Sequence, residues 1–149
     1  MDSLTIRAQN SVRRRQHLNI HTDFADPVQR LFNAIEPDSY IRPHRHALVP
    51  RNETMIAVRG RLVLIAFDDT GNIIARHPFA ANQADEPIGA EVPAGCWHTV
   101  VALESGSIIL EVKTGPFDPS APKEMASWAP EEGSEEASGY LRRLGACRV

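Results

Sequence analysis

Between Tyr40 and Lys113 the apolar residues come in short runs, each of a strand's length, and turn-forming residues separate them. Segments 53–59, 61–67, 73–79, 88–92, 97–103 and 107–113 read as strands. Gly60, the Asp68-Asp69-Thr70-Gly71-Asn72 cluster, Pro93-Ala94-Gly95 and Glu104-Ser105-Gly106 punctuate them, supplying the backbone angles of tight turns. Upstream the pattern changes. Asp26 and Pro27 stand in first-turn positions, and Val28, Leu31, Phe32 and Ile35 follow at the i, i+3, i+4, i+7 spacing, which predicts an amphipathic helix over 26–35. Residues 5–15 can form a further helix, although few apolar positions repeat there.

After Lys113 comes a breaker-rich stretch, Thr114-Gly115-Pro116-Phe117-Asp118-Pro119. Beyond it Glu131, Glu132, Glu135 and Glu136 precede Tyr140, Leu141 and Leu144, while Arg142 and Arg143 suit a helix C-terminus, so a terminal helix laid on the β-domain is expected. Phe117 and Trp128 carry large apolar surfaces that are costly to leave in water, so segment 116–130 is expected to be ordered. The predicted layout is an N-terminal extension over 1–39, an all-β sandwich or barrel over 40–115 and a C-terminal extension over 116–149 packed on it.

Composition narrows the classes. A chain of 149 residues, 42% of them hydrophobic, suits one domain with one core. A net charge of -3 asks for neither nucleic acid nor an anionic membrane as partner. Arg13, Arg14 and Arg15 read as a solvated helix face. With two cysteines, Cys96 and Cys147, and a start that lacks a basic, apolar signal, the expectation is a reduced cytoplasmic protein. No apolar run reaches the eighteen or so residues of a membrane helix.

The chemistry concentrates in Pro43-His44-Arg45-His46. Residues two apart on a strand face the same side, so two imidazoles can address one point. Glu53 follows seven residues after His46, Gly60 seven later, and Pro93-Ala94-Gly95-Cys96-Trp97-His98 brings a third histidine to the start of another strand. Three imidazoles and a carboxylate make a borderline donor set that suits one divalent transition metal: Fe, Mn, Ni, Zn, Co or Cu.

These residues resemble the two cupin motifs, Gly-x5-His-x-His-x(3,4)-Glu-x6-Gly and Gly-x5-Pro-x-Gly-x2-His-x3-Asn. His44, His46, Glu53 and Gly60 match the first, although six residues separate His46 from Glu53 and the leading glycine is missing. Pro93, Gly95 and His98 match the second, with Ala102 at the asparagine position and Gly89 only a few residues before the proline. A broader resemblance runs from about Arg14 to Glu132. Asp26-Pro27-Val28-Gln29-Arg30, Asn33-Ala34, Pro43-His44-Arg45-His46, Glu53-Thr54, Arg59-Gly60, Phe67-Asp68, Trp97-His98-Thr99, Glu111-Val112-Lys113, Gly115-Pro116 and Trp128-Ala129-Pro130-Glu131-Glu132 look like the WbuC family of cupin-fold metalloproteins. That family is associated with bacterial surface-polysaccharide (O-antigen) gene clusters.

The resemblance implies an all-β double-stranded β-helix, or jelly-roll barrel, with an N-terminal helix and a C-terminal helical tail. Its metal ligands would be His44, His46, Glu53 and His98. Glu111, Lys113 and Tyr40 are the candidate proton donors and acceptors; Glu111 and Lys113 share one strand face. His17, Asn19 and His21 alternate along a segment that can be a solvated strand face or line an entrance. Any of Arg42, Arg45, Arg59 and Arg61 in the barrel mouth would favour an anionic small molecule. Cys96 reads as a packed thiol, and His77 and Cys147 have no partner at a suggestive spacing. The expected function is metal-dependent isomerisation, epimerisation or oxygenation of a small polar molecule, with metal-anchored binding or sensing as the alternative. Cupins are frequently dimers, and an extended N-terminal segment can pair with a second chain's sheet.

Overall fold

The computed structural model describes residues 1–46, 51–120 and 123–146. Helix α1 (Asp2–Gln9) leads into β1 (Arg15–Asn19), β2 (Val28–Ile35), β3 (His44–Arg45), β4 (Glu53–Arg59), β5 (Arg61–Phe67), β6 (Ile73–Ala80), β7 (Gly89–Val92), β8 (Trp97–Ala102), β9 (Ser107–Thr114), β10 (Glu124–Met125) and helix α2 (Glu135–Ala146). The strands form two antiparallel five-stranded sheets, ordered β1-β2-β9-β4-β7 and β10-β3-β8-β5-β6. The two sheets face each other as a jelly-roll cupin barrel.

Alternation builds the interior. Ile35, Met55, Ala57 and Ile109 from the first sheet meet Leu62, Leu64, Phe79, Val100 and Ala102 from the second. Strand β5 is apolar on both faces because both are covered. Leu62 and Leu64 point inward, while Val63, Ile65 and Phe67 point out into a second cluster with Ala137, Leu141 and Leu144 of the C-terminal helix. That helix has its acidic residues in the first turn and Arg143 in the last, as its macrodipole favours. Gly60 turns the chain from β4 into β5 at φ +73°, and a Cβ there would lie 2.4 Å from Ser107 Oγ. In the segment before the helix, Trp128 packs 5.1 Å from Phe67 and 6.0 Å from Trp97, while Phe117 meets Phe24 at 5.1 Å between ring centroids and stays 40% exposed. Residues 121–122 of it lie outside the described set, as does Cys147.

The helix expected over 26–35 is instead strand β2, paired to β1 and β9 along its length. Asp26 does start the element, but as a turn: its Oδ1 accepts the Val28 N–H at 2.9 Å and its Oδ2 binds Arg30 at 2.8 Å. The apolar spacing misleads because both faces of β2 are covered. Phe32 and Ala34 face outward under Leu4 and Ala8 of α1. Gln29, Leu31, Asn33 and Ile35 are buried on the inner face, where two polar side chains interrupt the alternation. Residues 15–35 thus belong to the barrel, and the helix that precedes it is Asp2–Gln9.

The arginine cluster also differs from a solvated helix face. Arg15 opens β1 and is buried, donating to both Glu132 oxygens at 2.8 and 2.7 Å and to the Tyr40 carbonyl at 3.0 Å. Arg13 grips the same carboxylate at 2.7 and 3.1 Å. This clamp ties the first strand to the C-terminal segment. Burial works to raise the Glu132 carboxyl, but the two guanidinium groups outweigh it and hold it down at about 2.

Candidate metal centre

Strand pairing places His44 directly opposite His98, with ring centroids 4.4 Å apart. His46 follows β3 on the same face, 5.6 and 6.0 Å from the other two rings. Glu53 arrives from the opposite sheet as the first residue of β4. Its Oε2 lies 3.3 Å from His46 Nε2 and 3.5 Å from His98 Nε2. One donor atom from each of the four residues falls within 4.8 Å of all the others.

The backbone fixes how two of the rings face this point. His44 Nδ1–H donates to the Arg42 carbonyl at 3.0 Å and His98 Nδ1–H to the Cys96 carbonyl at 2.9 Å. Each ring thereby turns its Nε2 lone pair toward the shared point, as the outer hydrogen bonds of metal-binding histidines do. His46 Nε2 and His98 Nε2 are buried yet have no hydrogen-bond partner among the described residues. Leaving such atoms unsatisfied is costly, and a cation between them and Glu53 removes the cost. The donor set fits a divalent metal.

A polar network stands behind Glu53. Lys113 Nζ donates to Glu53 Oε1 at 2.9 Å and to Glu111 Oε2 at 3.4 Å, and Asn33 Nδ2 donates to Glu111 Oε1 at 2.9 Å. Glu53 therefore divides its oxygens, one to the lysine and one to the imidazoles. Burial would raise its carboxyl, but the net shift is well below the usual carboxylate range, with the Lys113 charge the strongest opposing influence. Burial works against the Lys113 ammonium too, yet the two carboxylates overcome it and raise the lysine above its ordinary value. Glu111 is shifted upward, by burial first and then by the charge on Glu53, against the pull of Lys113. Burial, with Lys123 and His98 nearby, pushes His44 well below the ordinary histidine value, so it stands as a neutral imidazole at pH 7.

These groups open into a cavity of about 910 Å³. Glu111 and Lys113 line it, as do His17, Asn19 and His21, so the alternating N-terminal face looks onto an entrance. Burial and then the Lys113 and Arg15 charges push His17 down to about 4, although its ring stays open to cavity water. Tyr40 is not there. It lies beneath the C-terminal segment on the outer side of the barrel, donating its hydroxyl to the Pro130 carbonyl at 2.9 Å, and cannot serve as a proton donor to the cavity. Arg42, Arg45, Arg59 and Arg61 are likewise occupied away from the cavity, on the Ala126 carbonyl, Glu124, Asp2 and Glu86 respectively. Cys96 is half-buried, its thiol pushed up by burial, and lies outside the four-residue cluster. His77 is exposed on β6.

Two polar wall residues escape the sequence reading. Asn33 was hidden by the helical spacing of 26–35; reading that segment as a strand puts it on the Leu31 face. Lys123 sits between proline-rich turns, where no periodicity marks its side.

Comparison with known proteins agrees on the fold. Solved structures that resemble the chain include protein SO0799 from Shewanella oneidensis, at 14% identity over 88% of this chain and 82% of that one, TM-score 0.57. The capsular polysaccharide assembling protein CapF from Staphylococcus aureus matches at 18% identity over 74% of this chain and 32% of its own, TM-score 0.57. Bacillus subtilis oxalate decarboxylase, a protein with Mn(II) centres, matches at 14% identity over 74% and 27%, TM-score 0.53. All are cupin-fold proteins. No curated protein matches by sequence. A family profile described as "Domain of unknown function (DUF6016)" matches residues 1–79, more than half of the 149-residue chain. The chain therefore belongs to the DUF6016 family and has a cupin fold.

Proposed function

We propose that this protein is a metal-dependent enzyme acting on a small polar molecule, of the class of sugars or nucleotide sugars used in surface-polysaccharide metabolism. The observation that carries the metal is the pair of buried, unpartnered Nε2 atoms of His46 and His98 facing one oxygen of Glu53. His44, His46, Glu53 and His98 would hold the ion, and four protein ligands with one donor atom each leave two positions of a six-coordinate ion open. Bound there, a divalent transition metal supplies a Lewis acid that polarises a carbonyl or hydroxyl group.

The chain's own residues supply the rest. Lys113 fixes the Glu53 carboxylate and keeps one of its oxygens turned to the imidazoles. Glu111, held by Asn33, reaches the same cavity and is the nearest further carboxyl group to move a proton at the substrate. The apolar floor of Met55, Val100 and Ile109 limits water beneath the site. The resemblance to the WbuC family and the likeness to CapF support the polysaccharide context. Elemental analysis of the purified protein, followed by a screen of sugars and nucleotide sugars, tests the reading. Stoichiometric metal with turnover supports it. Ligand-induced thermal shifts without turnover on any of them would make the protein a metal-anchored binder, and absence of metal at pH 7 would refute the centre.

A further inference from the structure

The cavity contains more positive charge than the four-donor centre and its supporting network use. Arg13 and Arg15 share the single charge of Glu132, and Lys113 pairs with both Glu53 and Glu111. Lys123, Arg51 and Arg7 remain. None has an ion pair or side-chain hydrogen bond among the described residues, and all three line the cavity. The chain next to them outside the described set, residues 47–50 and 121–122, contains no acid that could neutralise them. Asp118 is the one acidic lining residue outside these pairs, and the field of Arg51 reaches it.

The sheet aims Lys123 inward. Strand β10 pairs with β3 so that Met125 opposes His44 and Glu124 opposes Arg45. Residues two apart share a face, so Lys123 and Met125 both face the cavity with the histidines, and Glu124 points outward to Arg45. One further step of the same register sets Lys123 beside His46. The amine is open to cavity water but deep within the protein envelope; burial, with repulsion from Lys113 and Arg15, outweighs the attraction of Glu111 and Glu53 and pulls it down to about 8. Across from this charge the wall is carbon: Leu31, Ile41, Met55, Val100 and Ile109. A volume of about 910 Å³ exceeds what a two-carbon acid needs and suits a ligand with a ring or chain body.

We propose that the cavity binds a small organic oxyanion, a carboxylate or phosphate monoester, whose head is received by Lys123 and whose ring or chain body lies on the Leu31, Met55 and Val100 wall beside the metal centre. This deepens the reading above by naming the substrate class, and it rests on that reading for treating this cavity as the functional one. An ammonium without a direct ion pair among the described residues, in a partly enclosed cavity, favours an anion because a charge-assisted hydrogen bond there is less screened than in bulk water. The carbon wall adds affinity for any body that displaces water from it.

The test is calorimetric titration of the full chain, once loaded with Mn(II) and once treated with chelator. The probes are cyclohexanecarboxylate and cyclohexyl phosphate, with neutral cyclohexanol, acetate and inorganic phosphate as the arms lacking a charge or a body. At least one ring-bearing anion is expected to bind tenfold or more tightly than cyclohexanol, and more tightly than its bare head group. Lys123→Gln is expected to weaken that binding about tenfold or more, Lys123→Arg to retain it within a few-fold, and added salt to weaken it in the wild type. Circular dichroism and metal content of both variants show that fold and centre are intact. Failure of both ring-bearing anions to bind the wild type, or equal affinity in Lys123→Gln, overturns the proposal. The two readings fail separately. Lys123-dependent binding in a protein that takes up no metal refutes the centre and leaves the anion site standing. Full metal loading with Lys123-independent binding does the reverse. The stronger head group identifies carboxylate or phosphate.

Discussion

Replacing Glu132 by Ala tests whether the clamp between the first strand and the C-terminal segment holds the barrel closed. The wild-type carboxylate receives four guanidinium contacts between 2.7 and 3.1 Å, two from Arg13 and two from Arg15. The Arg15 side chain is 6% exposed, so its loss of a partner strands a buried cation, a change that costs about 3–5 kcal/mol when the pair is fully buried. Two facts reduce that figure. Glu132 is 31% exposed, and Arg15 keeps the Tyr40 carbonyl at 3.0 Å, so about 2–3 kcal/mol is expected. For a chain of this length that lowers the melting temperature by about 4–12 °C.

The pH dependence gives the sharper readout. A carboxyl depressed to about 2 in the folded protein stabilises it fully above the ordinary value of 4.5, and that contribution is lost as pH falls from there through about 2. The gap between wild type and Glu132→Ala should therefore be widest at neutral pH and shrink below pH 4.5. Thermal melts from pH 7 to pH 3, all in chelator so that metal binding does not contribute, measure it. A melting temperature unchanged at pH 7, or a gap that grows on acidification, refutes the reasoning.

His98→Ala should reduce bound metal far more than His17→Ala, His21→Ala or His77→Ala, because it removes the ligand that His44 faces across the sheet; an affinity loss of about 100-fold or more is expected by metal titration. The same variant should lose the drop in melting temperature that chelator causes in the wild type. Glu53→Gln should weaken metal binding and leave Lys113 with Glu111 as its carboxylate partner, and a variant that keeps both metal content and stability would remove Glu53 from the ligand set. Gly60→Ala should destabilise by about 1–3 kcal/mol in chemical denaturation, since φ is +73° and the added Cβ would collide with Ser107.

The clustering of the candidate ligands was legible because the pattern that marks it is local. His44 and His46 are two apart on one face, and His98 follows a Pro-Ala-Gly turn that sets the start of β8. Strands β4 and β5 were legible to the residue because Gly60 separates two runs of the right length. Strand β2 was not. Its outer face lies under α1, an element with little periodicity of its own, and its inner face mixes Leu31 and Ile35 with Gln29 and Asn33. No sequence pattern announces that Arg15 pairs with Glu132 across 117 residues, because a long-range ion pair leaves no spacing rule. Tyr40 failed as a candidate for a related reason: proximity in sequence to His44 says nothing about which side of the sheet a side chain takes when loop residues intervene.

The mixed character of β2 follows from how the whole barrel is graded. In register across the first sheet, Asn33, Ile109 and Ala57 form one row, Leu31, Glu111 and Met55 the next, and Gln29, Lys113 and Glu53 the last. The second sheet runs the same way, from Leu62 and Ala102 through Leu64 and Val100 to Ala66 and His98, with His44 beside it. One end of the barrel is closed by Phe79, Leu62 and Ile35 and resembles any hydrophobic core. The other end concentrates ionisable groups that would each be destabilising if buried alone. They are tolerated because each answers another: Lys113 answers Glu53 and Glu111, Asn33 answers Glu111, and carbonyls orient His44 and His98. Among the described residues this network leaves unmet the Nε2 atoms of His46 and His98, the amide oxygen Oδ1 of Asn33 and the ammonium of Lys123. A cation satisfies the imidazoles and an anion the ammonium, so the gradient that interrupts the strand pattern also predicts the charges of what binds.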